Sequence, residues 1–374
     1  MSSGNNCDYV ECAVYLNRNI REDLLNPEVM IICGSGLSGL SKNLTQSQTF
    51  NYEDIPGFPR ATVPGHHGEL VFGYLGGLRC MCMRGRFHFY EGNSMEKVVF
   101  PVRVGKCLGV KLVLVTNAAG GLNPDHNVGD IVIIQDHIGF PTLTGQHPCT
   151  GVNDNLIGPR FFPTSDAYDP VLQEIVIDTI KSTPSLYSLK KHVRSDGTYC
   201  FVSGPSYESK AEAKFLRMLG GDVVGMSSIP EVLAAKHCGM KILGLSLVTN
   251  KVLMDDRPQE TKSLNSAGKT TEGTGSGEEE VQIKHATHEE VLGAVQDSGR
   301  RVESIVKAVI QEDRLRSVLD SVPTFTLPPS ATLVNAKKGV NPVVQSAART
   351  TSVLIPSILF FCAYVMKQKA QGEQ

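Results

Sequence analysis

The alternation of apolar strands with helical segments most constrains the fold of this chain. The runs Lys111–Asn117 (KLVLVTN) and Lys241–Asn250 (KILGLSLVTN) are apolar on both faces, as strands buried between two layers are. Between them, Ser209–Gly220 has the pattern of a helix that ends at a glycine. Because polar and glycine-rich motifs follow the ends of the strands, the sequence predicts an α/β fold with a site at the carboxyl ends of the strands.

The remaining elements fit the same alternation. Glu69–Gly85 predicts a hairpin that turns at Gly76 and Gly77. Further strands are predicted at Val29–Cys33, Asp130–His137 and Gly197–Gly204, with helices over 8–24, 97–109 and His288–Leu319 and a helix started by Pro230.

Composition and charge restrict the class of protein. The net charge of −2 over 374 residues gives no electrostatic footprint for nucleic acid. The N-terminus MSSGNNCDYVECAVYL lacks a basic region followed by an apolar run, so a secretory signal is not indicated. Ten cysteines without paired CxxC spacing favour reduced thiols and no metal site. The chain is therefore expected to be cytoplasmic.

The motif GSGLSGL after the first predicted strand carries glycines at 34, 36 and 39 in the GxGxxG pattern of dinucleotide sites. The segment that follows allows only a short helix and no clean second strand ending in an acid, which argues against a dehydrogenase. The glycines still let backbone amides approach a phosphate, with Ser35 adding a hydroxyl.

The segment GRFHFYEG contains the residues best suited to an anion beside a sugar. In an extended chain Arg86, His88 and Tyr90 share one face, while Phe87 and Phe89 lie on the other. A guanidinium and an imidazole suit a bound anion, and a phenol suits a sugar hydroxyl. Taken alone, a solvated strand face remains the commoner explanation.

Several other motifs follow strands, and each taken singly is more often structural than functional. They are VPGHHGEL with His66, TNAAGGLNP, GPSYES with Tyr207 and Glu208, GMSSIPE with Met226 and Ser227, and VTNK with Asn250. An aromatic beside a carboxylate can hold a flat heterocycle and accept its N–H, and an asparagine amide can both donate and accept.

Together these motifs resemble the trimeric purine nucleoside phosphorylases. GSGL, VPGH, GRFHFYEG, VTNAAGGLNP, SDAYD, GPSYE, VGMSSIPE, TNKV and THEEVL occur in that family's order, over roughly residues 8–256 and 285–312. The resemblance implies a single-domain α/β nucleoside phosphorylase fold, with a mixed twisted β-sheet or distorted barrel flanked by helices. It also implies a homotrimer that needs no cofactor and uses inorganic phosphate to convert a purine nucleoside to free base and ribose 1-phosphate.

The resemblance also implies roles by matching position. Asn250, Glu208 and His88 would be catalytic. The phosphate would be bound by Ser35, His66, Arg86, His88, Ala118 and Ser227, the ribose by Tyr90, Met226, His288 and Phe161, and the purine by Glu208, Asn250, Tyr207, Val224 and Thr249. Phe161, in GPRFF, matches an aromatic that the family donates across a subunit boundary.

The chemistry of the base residues favours 6-oxopurines such as those of inosine and guanosine. Asn250 can hold the imidazole nitrogen that carries a proton and the exocyclic oxygen, and Glu208 can accept from the ring N–H beside that oxygen. The related methylthioadenosine phosphorylases carry an acid in place of Asn250, which disfavours that alternative. A catalytically weakened nucleoside-binding protein is a third hypothesis.

Two stretches depart from the family. A Ser-, Thr-, Gly- and Glu-rich insertion at about 256–287 predicts a mobile loop within a domain spanning 1–320, and it puts the position of His288 in doubt. Residues 321–374 form a Pro-rich linker and an apolar tail. Its run Val353–Met366 is shorter than the roughly 20 residues of a membrane-spanning helix. A packed or poorly ordered tail is therefore favoured over a membrane anchor.

Overall fold

Nine strands form one sheet in the computed structural model, which describes residues 8–34, 37–60, 68–254 and 288–327. They are β1 (Val29–Ile32), β2 (Thr45–Asn51), β3 (Glu69–Leu75), β4 (Leu78–Arg84), β5 (Leu112–Gly121), β6 (Ile131–Gly139), β7 (Val193–Phe201), β8 (Val223–Gly225) and β9 (Lys241–Lys251). Their order is β2-β3-β4-β1-β5-β8-β7-β6-β9, and β9 also pairs with β5. Five strands therefore close into a ring, and β1 to β4 extend the sheet from β5.

β1, β5 and β9 are buried on both faces, which explains their nearly continuous apolar runs, whereas β2 is mostly exposed and polar. In β1, Met30 and Ile32 pack into one core cluster while Val29 and Ile31 pack into another. The same alternation of two occurs along β5, where successive apolar side chains enter opposite clusters. A sheet with a core on each face needs helices on both sides.

Eight helices of the described ranges supply those outer layers. They are α1 (Asp8–Asn19), α2 (Met95–Leu108), α3 (Phe140–Leu143), α4 (Pro170–Ser182), α5 (Lys210–Met218), α6 (Ile229–His237), α7 (His288–Ile310) and α8 (Asp313–Asp320). α2 packs against α1 and α6, and α4 packs against α7 and α8. Local sequence fixes several ends: Ser94 and Asp169 cap α2 and α4, and Ser209 with Glu212 forms a capping box on α5.

The predicted elements are largely confirmed, with several differences, among them β2, which was not predicted. The hairpin joins β3 and β4 through Gly76 and Gly77, as predicted. The predicted helix over His288–Leu319 is wrong as one helix, because α7 ends at Ile310 and α8 begins at Asp313. The predicted N-terminal helix ends at Asn19, and a separate 3-10 turn covers Glu22–Leu24. α4 was not predicted, although Asp169 followed by Pro170 is a helix-start signal.

The predicted insertion at 256–287 and the tail run Val353–Met366 lie outside the described residues. The described residues belong to one compact unit within Met1–Thr332. The domain boundary between residues 320 and 321 stays a prediction. Within the described ranges, no helix combines the length and the apolar character needed to cross a bilayer.

Candidate active site

A cavity of about 110 Å³ lies where several strands of the sheet end. Gly34 follows β1, Arg86 follows β4, and residues 117–120 form the carboxyl half of β5. Residues 224–227 come from the end of β8, and Thr249 with Asn250 from the end of β9. The cavity therefore lies at the carboxyl ends of strands, where the sequence predicts the site.

Most of the candidate residues meet in this cavity. Those that line it are Arg86, His88, Tyr90, Ala118, Tyr207, Glu208, Val224, Met226, Ser227, Thr249 and Asn250. Ser35 and His66 lie outside the described residues, and α7 begins at His288, whose side chain is likewise outside them. Phe161 is 88% exposed and is not among the residues that line the cavity.

Arg86 is the most deeply placed cation of the cavity, only 1% exposed. Its Nη1 donates to the hydroxyls of Ser227 and Ser228, both at 2.7 Å, and its Nη2 donates to the Thr116 carbonyl at 2.9 Å. These hydrogen bonds fix the plane of the guanidinium, so an anion in the cavity meets an oriented cation.

The segment around Arg86 reaches the cavity through a turn. The expectation of one extended strand is wrong: β4 ends at Arg84, and Phe89–Glu91 forms a 3-10 helix. Phe87 turns into the core, where its ring lies 5.4 Å from that of Tyr52. This anchored aromatic lets the polar residues on either side of it face the cavity.

His88 is held by two neighbours within the same segment. Glu91 Oε1 accepts from the His88 backbone N–H at 2.7 Å and from its ring Nδ1 at 2.9 Å. The Tyr90 ring stacks on the imidazole, with centroids 4.7 Å apart. Glu91 therefore orients the imidazole, and the Tyr90 ring covers one face of it at the cavity.

Gly34 permits a close approach of β1 to β5. A β-carbon there would lie 2.6 Å from the Thr116 carbonyl oxygen. The Gly34 N–H donates to the Thr116 hydroxyl at 3.1 Å, and that hydroxyl donates to the Ile32 carbonyl at 3.0 Å. The first glycine of GSGL is thus required by packing at the cavity wall.

The cavity also carries groups suited to a heterocycle. The Thr249 hydroxyl lies 3.2 Å from Asn250 Oδ1 and 3.3 Å from the Ala119 carbonyl, which orients the Asn250 amide. Burial raises the pKa of the Glu208 carboxyl above its usual value. Tyr207, 44% exposed, lines the cavity beside Glu208.

Several lining residues were not among the candidates. They are Gly34, Asn117, Ala119, Gly120, Gly225 and Val291. Asn117 ends the apolar run KLVLVT, and a polar residue at that place was a usable signal; its Nδ2 donates to Ser228 Oγ at 2.9 Å. Val291 comes from α7, and its approach depends on tertiary packing.

Known proteins resemble this chain in sequence over most of its length. Residues 28–311 match the model of the phosphorylase superfamily. The chain is 45% identical over 303 residues to the purine nucleoside phosphorylase of Bos taurus, covering 81% of this chain and 94% of that protein. It is 42% identical over 293 residues to that of Saccharomyces cerevisiae, covering 76% and 88%.

Solved structures of purine nucleoside phosphorylases also resemble this chain. The crystal structure of the Schistosoma mansoni purine nucleoside phosphorylase in complex with inosine matches with a TM-score of 0.71 at 36% identity, covering 83% of this chain and 98% of that one. The schistosoma enzyme in complex with hypoxanthine matches with a TM-score of 0.71 at 35% identity, covering 84% and 99%.

Proposed function

The chain belongs to the purine nucleoside phosphorylases of the phosphorylase superfamily, and we propose that it acts on 6-oxopurine nucleosides, with inorganic phosphate as co-substrate. The products are a free purine base and ribose 1-phosphate. One observation carries the proposal: Arg86, Ser227 and His88 share a single cavity with Asn250 and Glu208. An anion and a heterocycle can therefore be held on either side of one sugar.

Arg86, Ser227 and His88 are proposed to hold the phosphate that attacks the anomeric carbon. The sugar develops positive charge as the N-glycosidic bond breaks, and an oriented phosphate oxygen both stabilises that charge and forms the new bond. Ser35 and His66 are proposed to add contacts to the same anion, with the backbone at Ala118. Because phosphate is itself the nucleophile, we expect no cofactor.

Asn250 and Glu208 are proposed to stabilise the departing base. Negative charge builds on the purine as the bond breaks, and the Asn250 amide can bind both the protonated imidazole nitrogen and the exocyclic oxygen. Glu208 accepts from the ring N–H beside that oxygen. A 6-aminopurine lacks this N–H, so the carboxylate stays unpaired, a mismatch that costs on the order of 10⁴ in kcat/KM.

Tyr90 and Met226 are proposed to contact the ribose, with His288 completing that part of the site. Tyr207, Val224 and Thr249 would pack around the purine. Support comes from their shared lining of the cavity, apart from His288, whose backbone alone is described.

We further propose a homotrimer in which Phe161 completes a neighbouring copy's site. Phe161 is 88% exposed, and Leu143 (74%), Val152 (87%) and Met218 (81%) are exposed as well, so a neighbouring copy could bury apolar surface here. A second cavity of about 440 Å³ shares Tyr207 and Glu208 with the first. It offers an apolar place for an aromatic of another copy beside the base residues.

The decisive experiment follows hypoxanthine release from inosine by the purified full chain, with and without phosphate. If the proposal is correct, the release of hypoxanthine from inosine depends on phosphate. The release of adenine from adenosine is then far slower. Turnover must be measured, because the Schistosoma mansoni enzyme was also solved in complex with adenosine. Faster cleavage of methylthioadenosine than of inosine would favour a methylthioadenosine phosphorylase. Binding of inosine, measured by calorimetry, without any release of hypoxanthine would favour a catalytically weakened nucleoside-binding protein.

The cytoplasmic location and the peripheral role of the tail stay predictions. Fractionation of cells that express the full chain or residues 1–320 checks both, since a membrane anchor would move the full chain alone to the membrane fraction.

A further inference from the structure

A carboxylate lies behind the arginine of the cavity. Glu231, in the first turn of α6, is 2% exposed and is not one of the residues that line the cavity. Its Oε1 lies 3.7 Å from Arg86 Nε. Its Oε2 is buried and has no hydrogen-bond partner among the described residues. The carboxylate thus faces the arginine without being placed to contact a ligand of the cavity.

The charges explain why a carboxylate at this place matters. The Arg86 guanidinium is a buried cation, and three of its hydrogen-bond partners, Ser227, Ser228 and Thr116, are neutral groups. A buried cation needs a counter-charge, and Glu231 supplies one from inside the protein. The carboxylate is itself stabilised by its position at the positive end of α6.

One turn of chain contacts Arg86 on two sides. Ser228 directly precedes α6 with a φ of +73°, a left-handed conformation that few residues other than glycine adopt. Its hydroxyl also accepts from Asn117. This held backbone places the two serine hydroxyls on Arg86 Nη1 and the Glu231 carboxylate near Arg86 Nε. Strained backbone of this kind is common at functional sites, where it holds side chains in a required geometry.

We propose that Glu231 is a positioning residue for the phosphorolysis, acting through Arg86. It fixes the angle of the guanidinium so that the nitrogen atoms meet the phosphate as the new C–O bond forms. Because phosphate and Glu231 are both anions around one cation, the carboxylate also weakens phosphate binding in the ground state. Glu231 therefore lowers the affinity for phosphate while it raises the rate of turnover. The inference rests on the function proposed above.

Glu231→Gln tests this, because it keeps the shape and removes the charge. We expect kcat with inosine to fall by about 10- to 100-fold, the size of effect that a displaced positioning group produces. The dissociation constant of inorganic phosphate, measured by calorimetry, should become smaller, because the competing negative charge is gone. An unchanged kcat would overturn the proposal, and so would a loss of phosphate affinity in proportion to kcat, which indicates mere loss of structure.

Glu231→Asp keeps the charge but withdraws it by one methylene, and it should reduce kcat with phosphate affinity unchanged. This variant decides the matter if the glutamine variant does not fold, and an unchanged kcat in it would then count against the proposal. Glu28→Gln is the matched control: Glu28 forms a comparable pair with Arg79, at 3.6 Å, at the amino end of β1. It should leave kcat and phosphate binding as they are.

The two proposals fail in different ways. If the unaltered chain releases no hypoxanthine, the proposed function is wrong, while calorimetry with phosphate still reports whether Glu231 opposes an anion at Arg86. If the unaltered chain is active and Glu231→Gln is equally active, only the role of Glu231 is wrong.

Discussion

Gly34 lies so close to Asn117 that a β-carbon on the glycine would stand 2.7 Å from the asparagine Cα. The contact joins the end of β1 to the carboxyl half of β5, where the cavity wall forms. Since Asn117 in turn binds Ser228, one of the partners of Arg86, the spacing of these strands bears directly on the proposed phosphate site.

We therefore expect Gly34→Ala to destabilise the fold by about 1–3 kcal/mol, because the methyl group meets backbone that cannot yield. Phosphate affinity should fall with it. Urea unfolding and calorimetry measure the two effects. Gly293→Ala in α7 is the control, since its β-carbon would meet open space. That change should raise the stability by about 0.5–1 kcal/mol, and a similar effect of both substitutions would contradict the packing argument.

Asn250→Ala should lower kcat with inosine by about 10²–10³, the usual loss when a donor to developing charge is removed. Binding of inosine in the ground state should change less. Steady-state kinetics at saturating phosphate measure this effect. Asn51→Ala, an exposed asparagine on β2 that binds Asp54, should behave as the unaltered chain does. Activity of Asn250→Ala near that of the unaltered chain would remove this residue from the base site.

The pKa of Glu208, raised by burial, predicts the pH dependence of turnover. The carboxylate must be ionised to accept from the purine N–H, so kcat/KM for inosine should fall as the pH drops through this raised pKa. The fall should begin at a higher pH than an ordinary glutamate would give. Glu208→Gln should be slower throughout and lose this acidic limb. A limb that persists unchanged in the variant belongs to another group.

Glu208 should also affect stability in a defined direction. Because its folded-state pKa is raised, the folded chain binds the proton more readily than the unfolded chain. Its contribution to the free energy of unfolding is therefore largest below the ordinary glutamate pKa and is lost as the pH rises through the raised value. Comparison of unaltered chain and Glu208→Gln by urea unfolding across this range checks the sign, and the opposite trend would contradict it.

Phe161 gives a test of the assembly by complementation. Phe161→Ala should raise KM for inosine, and Asn250→Ala should remove turnover. If Phe161 serves a neighbouring copy, mixing the two variants under conditions of subunit exchange creates sites with both residues intact. Activity at low inosine should then exceed the sum of the separate variants. No gain, in mixtures shown by sedimentation to exchange, would contradict donation across a boundary. Tyr187→Ala, also at an exposed aromatic, serves as the control.

The sequence predicted which residues gather at one cavity where their motifs lie at the ends of apolar strands. Asn250, Glu208 and Arg86 stand in motifs that follow apolar strands, and the fold brings these strand ends together. The expected strand at Arg86–Tyr90 was wrong although its residues line the cavity, because a turn and a 3-10 helix gather them instead. Periodicity describes a regular element and carries no information on such a turn.

Contacts between segments distant along the chain could not be predicted from the sequence. Nothing near Val291 indicates that α7 would bring it to the cavity, and nothing near Glu231 indicates that its carboxylate would face an arginine 145 positions earlier. No sequence pattern predicted the contact of Glu91 with His88 either, because that contact follows from a 3-10 turn that brings the two side chains together. These positions depend on how helices pack on the sheet.

The closed ring of strands has a consequence for the synthesis of the chain. β9 is the last strand in sequence, yet it lies between β5 and β6 and pairs with both. Until Lys251 has left the ribosome, the facing edges of β5 and β6 have no partner in this sheet, and apolar edges of that kind attract other chains. The nascent polypeptide thus carries two unpaired strand edges until late in translation, and the same strand that pairs with both of them delivers Asn250.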